Sequence, residues 1–224
     1  MVDKTLSFAL KHNNFKTFGA SRTDALVSAN QSAFELFMNQ PIPNNFLELF
    51  NKNLPQDIRG LKVEEVSESF NIIQTPKLKE YIYLFSFGEK VHPFSASMIA
   101  SFTYDLDIEL MKQGAVLFQG NHNFKKYCTQ PKNNTQFNRE ILVSKILEND
   151  IYTANFFPKK SYAYHVCSKG FMRNQIRLMM GQLLLLGQQK ISILKLQESL
   201  ESPDKYPLDF IAPPSGLILN SVII

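Results

Sequence analysis

Two spacings of hydrophobic residues recur along the chain, one typical of helices and the other typical of strands. Near the start, Val2, Leu6 and Leu10 follow one another at intervals of four residues, which predicts an amphipathic helix over residues 2–11. The same reasoning predicts four later helices: one that Asn44 or Asn45 caps and that ends before Pro55, one from Asp105 to Gly120, a longest one that Gly170 opens, and one over residues 191–200.

Alternation with a period of two residues marks the strands. The clearest stretch is 78–87, in which Tyr81, Tyr83 and Phe85 share one face and Ile82 faces the other way. An aromatic face of this kind is typical of a hydrophobic core. Further strands are predicted over residues 15–20, 28–39, 61–70, 138–147, 161–168 and 217–223.

The order of these elements predicts an α+β fold, because the strands look antiparallel and no regular alternation of single strands and helices appears. The pattern changes near residues 71–77. We therefore expect an N-terminal half over residues 1–74, which contains the turn around Asp24, and a C-terminal half over residues 75–224.

Composition agrees with a soluble, cytoplasmic protein. The chain has 224 residues, of which 44% are hydrophobic, enough for a substantial core in one or two domains. Its longest leucine run, residues 183–186, is far shorter than the roughly 20 apolar residues of a membrane-spanning helix, and residues 1–10 do not resemble a signal peptide. Cys128 and Cys167 lack the spacing of a zinc site or a disulfide framework, so we expect no metal.

Positive charge is concentrated in the middle of the chain. Residues 121–180 contain ten Lys and Arg against three Asp and Glu, a local charge of +7. Aromatic residues are interleaved with these cations, a mixture that suits phosphate contact and base stacking in RNA, although an ordinary solvated surface is the alternative. The basic residues singled out are Lys125, Lys126, Lys132, Arg139, Lys159, Lys160, Lys169, Arg173 and Arg177.

A turn of small residues, 18–29, presents a single carboxylate, Asp24. Gly19 permits a tight backbone, Arg22 is placed to pair with the carboxylate, and Thr23 offers a hydroxyl to it or to a ligand. We interpret Asp24 as a catalytic nucleophile. The alternative is a solvated ion pair that closes a loop.

Five segments, in the same order along the chain, resemble motifs of the tRNA pseudouridine synthase A family. Residues 19–25 resemble Gly-x-Gly-Arg-Thr-Asp-Ala, 79–83 resemble Lys/Arg-x-Tyr-x-Tyr, 118–124 resemble Gly-x-His-Asp-Phe, 170–181 resemble Phe-Leu-x-x-x-Val-Arg-x-Met-Val-Gly, and 212–217 resemble Ala-Pro-x-x-Gly-Leu. Together they extend over nearly the whole chain, which makes the resemblance specific.

The resemblance implies a pseudouridine synthase fold of two ferredoxin-like halves that share a mixed, mainly antiparallel sheet. It implies an isomerase that converts uridine to pseudouridine in the anticodon arm of tRNA, works as a homodimer and needs no cofactor. Asp24 would be the nucleophile, Arg22 or Arg177 would keep it ionised, and Tyr81 would pack against the target base. The residues expected to contact RNA are Thr23, Lys79, His122, Lys125, Lys126, Lys159, Lys160 and Arg173.

The chain departs from the family pattern at several positions. Leu26 and Ser28 replace the glycine and histidine of Gly-Val-His-Ala, and Asn123 replaces the aspartate of His-Asp-Phe. The chain contains no Trp and begins with a helix, where the family has an earlier strand with Tyr-Asp-Gly and Gly-Trp-Gln motifs. We expect either a start upstream of Met1 or a shortened member that buries the exposed sheet edge in a homodimer.

These departures leave two other classes of function open. The first is a catalytically impaired RNA-binding or chaperone paralogue with the same fold, which the changes at Leu26 and Ser28 favour. The second is a structural protein-interaction domain, which only the modest net charge of +4 favours. Against both alternatives stands the joint presence of Arg22, Thr23, Asp24, Tyr81 and Arg177.

Overall fold

Helices and strands are interspersed along the chain in the computed structural model, which describes residues 1–75, 78–201 and 208–224. The helices in these ranges are α1 (Val2–Leu10), α2 (Phe46–Asn53), α3 (Ile108–Leu117), α4 (Gln175–Gly187) and α5 (Ile193–Glu201). The strands are β1 (Phe15–Gly19), β2 (Ser28–Ala29), β3 (Phe34–Met38), β4 (Leu78–Phe87), β5 (Ala100–Phe102), β6 (Gly120–Asn123), β7 (Asn138–Ile141), β8 (Val143–Glu148), β9 (Tyr162–Ser168) and β10 (Leu217–Ile223).

The described residues group into two compact units. The smaller unit contains residues 1–21 and 33–75, and the larger contains residues 22–32 together with the described residues from 78 onward. The predicted halves placed the Asp24 turn in the N-terminal half, whereas this loop belongs to the larger unit. The reason is that β2, at the end of the loop, pairs with β10.

The smaller unit has its own hydrophobic core. Strands β1 and β3 pair antiparallel. Leu6 and Leu10 of α1 pack with Phe46 and Phe50 of α2, and the two phenylalanine rings stack with their centroids 5.6 Å apart. The apolar stripe of the predicted helix 2–11 is therefore covered within this unit.

A mixed sheet of six strands forms the centre of the larger unit. Five strands follow the order β2-β10-β4-β9-β8, and β5 pairs with β4. The β2–β10 and β4–β5 pairs are parallel, whereas β10–β4, β4–β9 and β9–β8 are antiparallel. This arrangement confirms the predicted α+β class with a mainly antiparallel sheet. Strands β6 and β7 form a separate antiparallel ladder.

Strand β4 has the two faces that its alternating pattern predicts. Tyr81, Tyr83 and Phe85 lie in the main hydrophobic core, together with α4. Ile82 and Leu84 lie in a second cluster on the opposite face. Residues of β4 are therefore buried on both sides, as expected for a central strand.

Helix α4 is buried on nearly every side. A Cβ atom added to Gly181 would lie 2.1 Å from the carbonyl oxygen of Phe210, so glycine lets the chain near Phe210 pass directly over the helix. None of the helices within the described ranges is long and apolar enough to cross a membrane.

Two strand predictions in the first third of the chain need correction. The predicted strand over 28–39 is divided, because β2 pairs with β10 and β3 pairs with β1, with small and polar residues between them. The predicted strand over 61–70 is wrong: this stretch contains no strand and is exposed except at Phe70. The alternating hydrophobic residues of this stretch therefore do not pack into a core.

Two helix starts also differ from the predictions. Helix α3 begins after Asp107, whose carboxylate accepts a hydrogen bond from the backbone N–H of Leu110 at 2.9 Å, and not after Asp105. Helix α4 begins at Gln175 and not near Gly170. The preceding residue, Asn174, has a left-handed backbone with φ of 59°, which interrupts a right-handed helix.

Strand boundaries in the C-terminal part follow from a change of pairing partner. The predicted strand over 138–147 is interrupted at Leu142, because β7 pairs with β6 and β8 pairs with β9. The short strands β5 and β6 were not predicted. Each has only three or four residues, too few for a clear alternation.

The close approach at Gly181 gives a test of the packing. Gly181→Ala should lower the free energy of unfolding by about 1–3 kcal/mol, because the added methyl group meets backbone atoms that cannot rotate away. Gly170→Ala is the matched control, since an added Cβ there has no neighbour within 4 Å. Its unfolding free energy should change by no more than about 0.5 kcal/mol. Equal values for the two variants in denaturant titrations would contradict this packing.

Candidate active site

Strand β2 fastens the loop of residues 22–32 to one edge of the main sheet. The backbone N–H of Asn30 donates to the carbonyl of Leu219 at 2.8 Å, and Val27 packs against the main core. A turn closed by the Val27 N–H and the Asp24 carbonyl, 3.2 Å apart, places Asp24 just before these anchors. The position of Asp24 is therefore tied to the sheet.

Asp24 forms an ion pair with Arg177 of α4. Arg177 Nη1 donates to Asp24 Oδ2 at 2.9 Å, and the side chains are 16% (Arg177) and 37% (Asp24) exposed. Arg177 Nε donates to the carbonyl of Ala212 at 2.8 Å. Arg177 thus holds one carboxylate oxygen of Asp24, while Oδ1 has no hydrogen-bond partner among the described contacts.

Tyr81 is connected to the Asp24 loop by residues that are paired across neighbouring strands of the sheet. In that row Ala29 of β2 pairs with Leu219 of β10, and Leu219 pairs with Tyr81 of β4. The Tyr81 ring meets the Phe171 ring edge to face, with centroids 5.3 Å apart, and Tyr81 is 8% exposed. Phe171 therefore braces one side of this aromatic ring.

Tyr83, which sequence reasoning assigned to the core, has a second role. Its hydroxyl donates to the carbonyl of Pro213 at 2.8 Å, next to the Ala212 carbonyl that Arg177 engages. Burial raises the pKa of the Tyr83 hydroxyl, and the nearby Arg177 charge acts in the opposite direction. Tyr83 and Arg177 together hold two consecutive carbonyl groups. The Ala-Pro motif at 212–213 was the available indication of this contact.

The sequence of this chain matches those of known proteins over most of its length. A family model described as tRNA pseudouridine synthase matches residues 115–223. The tRNA pseudouridine synthase A of Thermodesulfovibrio yellowstonii is 31% identical over 218 residues, which cover 93% of this chain and 83% of the relative. The chain belongs to the tRNA pseudouridine synthase A family. The family resemblance of the five motifs is thereby confirmed.

Two further relatives of the family match over similar lengths. The tRNA pseudouridine synthase A 2 of Clostridium perfringens is 28% identical, with 91% of this chain and 80% of the relative covered. The tRNA pseudouridine synthase A of Geobacillus sp. is 27% identical, with 99% of this chain and 86% of the relative covered. These matches extend well beyond residues 115–223 and include the N-terminal part of the chain.

The structure distinguishes the two arginines that the family motifs left open as partners of Asp24. Arg177 contacts the carboxylate, whereas Arg22 is exposed and forms none of the ion pairs found among the described residues. Thr23 is also exposed, on the same loop. Both side chains are therefore accessible from solvent. In the described part of the chain, no three His, Cys, Asp or Glu side chains lie together as a metal site would require.

Four of the predicted RNA-contacting residues lie on neighbouring segments. His122 is on β6, where its Nε2 lies 2.9 Å from the Gln119 carbonyl oxygen, and Lys125 and Lys126 are on the 3₁₀ turn that follows. Arg173 precedes α4, and its carbonyl accepts the backbone N–H of Thr129 at 3.3 Å. That contact joins the two segments, so these four residues lie on one part of the larger unit.

Lys79 and the Lys159–Lys160 pair occupy different ends of the sheet. Lys79 is two residues before Tyr81 on β4, and partial burial lowers the pKa of its amine. Lys160 lies over the Tyr162 ring at 5.8 Å, and Tyr162 pairs with the part of β4 about 13 Å along the strand from Tyr81. A pocket of about 450 Å³ at that end is lined by Ser86, Phe87, Glu89, Phe157, Pro158, Lys159 and Lys160.

Leu26 has an unusual backbone for its residue type. Its φ is +67°, in the left-handed region, and its side chain is 78% exposed. The family motif has glycine at this position, which adopts that backbone without strain. Sequence reasoning expected Gly19 to provide the tight backbone of the turn, but Gly19 ends strand β1 and has no positive φ.

The strain at Leu26 can be measured as stability. Leu26→Gly should raise the free energy of unfolding by up to about 1 kcal/mol, since left-handed strain of about 1–2 kcal/mol exceeds the entropy that glycine adds to the unfolded chain. Leu26→Val should lower it, because a β-branched side chain fits this backbone still less well. Chemical denaturation compares the two variants, and an equal fall in both would show that the turn is not strained.

Proposed function

We propose that Asp24 is the nucleophile with which this protein isomerises uridine to pseudouridine in the anticodon arm of tRNA. As a member of the tRNA pseudouridine synthase A family, the protein is an isomerase that acts on uridine in tRNA. The observation that carries the assignment to Asp24 is its ion pair with Arg177, which holds one carboxylate oxygen and leaves the other available.

The reaction is redox-neutral and exchanges one bond of the base for another. The N1–C1′ glycosidic bond breaks, uracil turns, and a C5–C1′ bond forms, while C5 loses a proton and N1 gains one. Asp24 adds either to C6 of uracil or to C1′ of the ribose, and both routes need an ionised carboxylate.

The aromatic pair Tyr81 and Phe171 supplies a surface for the displaced base. A uridine within a stem must leave the stack before Asp24 can reach it, at a cost of a few kcal/mol. Contact between the base and the Tyr81 ring offsets part of that cost. Because Phe171 supports the ring edge to face, Tyr81 needs little reordering on binding.

The basic residues of the larger unit are proposed to bind the tRNA backbone. His122, Lys125, Lys126 and Arg173 lie on adjoining segments, and Lys79 leads into Tyr81 along β4. Arg22 and Thr23, on the Asp24 loop, are proposed to contact the tRNA backbone as well. Lys159 and Lys160 would engage phosphates farther along the substrate, at the other end of the β4–β9 ladder.

We further propose that the protein acts in the cytoplasm as a homodimer. Among the described strands, β1 and β3 pair only with each other, so the outer edges of this ladder are available to a second chain. Light scattering at micromolar concentration should give about twice the chain mass of 25.7 kDa. A mass equal to that of one chain, with cooperative unfolding, would rule out the dimer.

Replacement of the nucleophile tests the reaction directly. Asp24→Asn should abolish pseudouridine formation and leave the Kd for tRNA nearly unchanged, because the amide keeps the size of the side chain but cannot act as the nucleophile. Asp150→Asn, at an exposed position outside the site, is the control and should retain full activity. Turnover by Asp24→Asn within tenfold of the unmodified protein would contradict the assignment.

The activity of the unmodified protein in the same assay also distinguishes an active enzyme from a catalytically impaired paralogue. Tight tRNA binding without any turnover by the unmodified protein would favour the non-catalytic RNA-binding alternative. Multiple turnovers on an anticodon stem-loop substrate would exclude it.

The salt dependence of tRNA binding tests the basic surface. Replacing Lys125, Lys126, Lys159 and Lys160 with Ala should weaken binding and reduce the slope of log affinity against log salt by up to about 3, because fewer counterions are released. The control removes four exposed lysines outside residues 121–180: Lys4, Lys11, Lys190 and Lys195. An equal change of slope in both variants would show that only net charge matters.

A further inference from the structure

Asn174 immediately precedes α4 and has a backbone that few residues other than glycine adopt. Its φ and ψ are 59° and 8°, in the left-handed region, where asparagine is tolerated better than most residues. An asparagine at this position usually caps the helix by accepting an N–H of the first turn. The Asn174 side chain makes no such capping bond. The side-chain amide of Asn174 is therefore free to bond to groups outside the first turn of α4.

The amide of Asn174 connects two side chains that lie on either side of it. Its Nδ2 donates to Thr129 Oγ1 at 2.8 Å, and its Oδ1 accepts from Arg177 Nη1 at 3.3 Å. The amide orientation is fixed by chemistry, because a guanidinium can only donate and must therefore face the oxygen. The Arg177 nitrogen that contacts Asn174 is the same Nη1 that donates to Asp24.

These contacts form a continuous chain from Thr129 through Asn174 and Arg177 to Asp24. The bond from Arg177 Nε to Ala212 alone would allow the guanidinium plane to turn about that N–H···O axis. A second anchor at Nη1 removes this freedom. With both anchors in place, Nη1 points at the Asp24 carboxylate before any substrate binds, so no reordering is needed during the reaction.

We propose that Asn174 is a positioning residue that sets the orientation of the Arg177 guanidinium and, through it, of the Asp24 carboxylate. This inference rests on the proposed role of Asp24. The left-handed backbone is what directs the amide away from the helix end and toward Arg177. Thr129 is the outer support, because its hydroxyl holds the amide in the orientation that presents oxygen to the guanidinium.

Asn174→Gly separates positioning from a purely conformational role. Glycine adopts the left-handed backbone at least as well as asparagine, so a residue needed only for its backbone would tolerate this change. We expect the single-turnover rate at saturating enzyme to fall about 10- to 100-fold, in line with the cost of small displacements in an active site. The Kd for tRNA should stay within about twofold, because Asn174 does not supply charge to the phosphates.

Two substitutions at Thr129 test whether restoring the hydroxyl group also restores the single-turnover rate. Thr129→Val keeps the shape of the side chain and removes the acceptor for Asn174 Nδ2, so the rate should fall about 3- to 10-fold. Thr129→Ser restores the hydroxyl and should return the rate to within about twofold of the unmodified protein. If Asn174→Gly does not fold, this pair decides the question without it.

The outcomes separate this inference from the proposed function. An unchanged single-turnover rate in Asn174→Gly would overturn the positioning role, as would a loss of rate matched by an equal loss of tRNA affinity. Equal rates for Thr129→Val and Thr129→Ser would also overturn it. If Asp24→Asn is inactive in the same assay, the role of Asp24 stands whatever Asn174 does, whereas an active Asp24→Asn refutes the proposed function itself.

Discussion

The ion pair between Arg177 and Asp24 is the contact on which the candidate site depends, because it joins residues 153 positions apart in the chain. Arg177 is largely buried, so solvent screens its interactions less than those of a surface pair. The same guanidinium holds the Ala212 carbonyl, and it is in contact with Asn174. One side chain thus fixes the loop, the start of α4 and the segment that leads into β10.

Small residues make this convergence possible. A Cβ on Gly181 would collide with the Phe210 carbonyl, and one on Gly216 would lie 2.5 Å from the Leu84 carbonyl. The Gly216 carbonyl in turn accepts the backbone N–H of Leu84 at 2.8 Å. The segment from Phe210 to Gly216 is therefore pressed against both α4 and β4, where Tyr83 and Arg177 reach its carbonyl groups.

Regular alternation made the central strands predictable, and β4 and β10 have the bounds that their patterns indicate, because both faces of β4 and the start of β10 are buried. The motifs identified the family and its candidate residues. They could not decide between Arg22 and Arg177 as the partner of Asp24, since that depends on long-range packing. The glycine of the family motif was an indication of the left-handed backbone at Leu26, whereas nothing in the local sequence around Asn174 requires the same conformation there.

Mapping of pseudouridine in tRNA tests the central claim most directly, because it reads the reaction product at single-nucleotide resolution in the cell. The comparison needs tRNA from cells with the gene, cells without it, and cells without it that carry a plasmid copy. We predict that pseudouridines in the anticodon arm disappear with the gene and return with the plasmid, while those elsewhere persist. An identical map in all three strains would contradict the account.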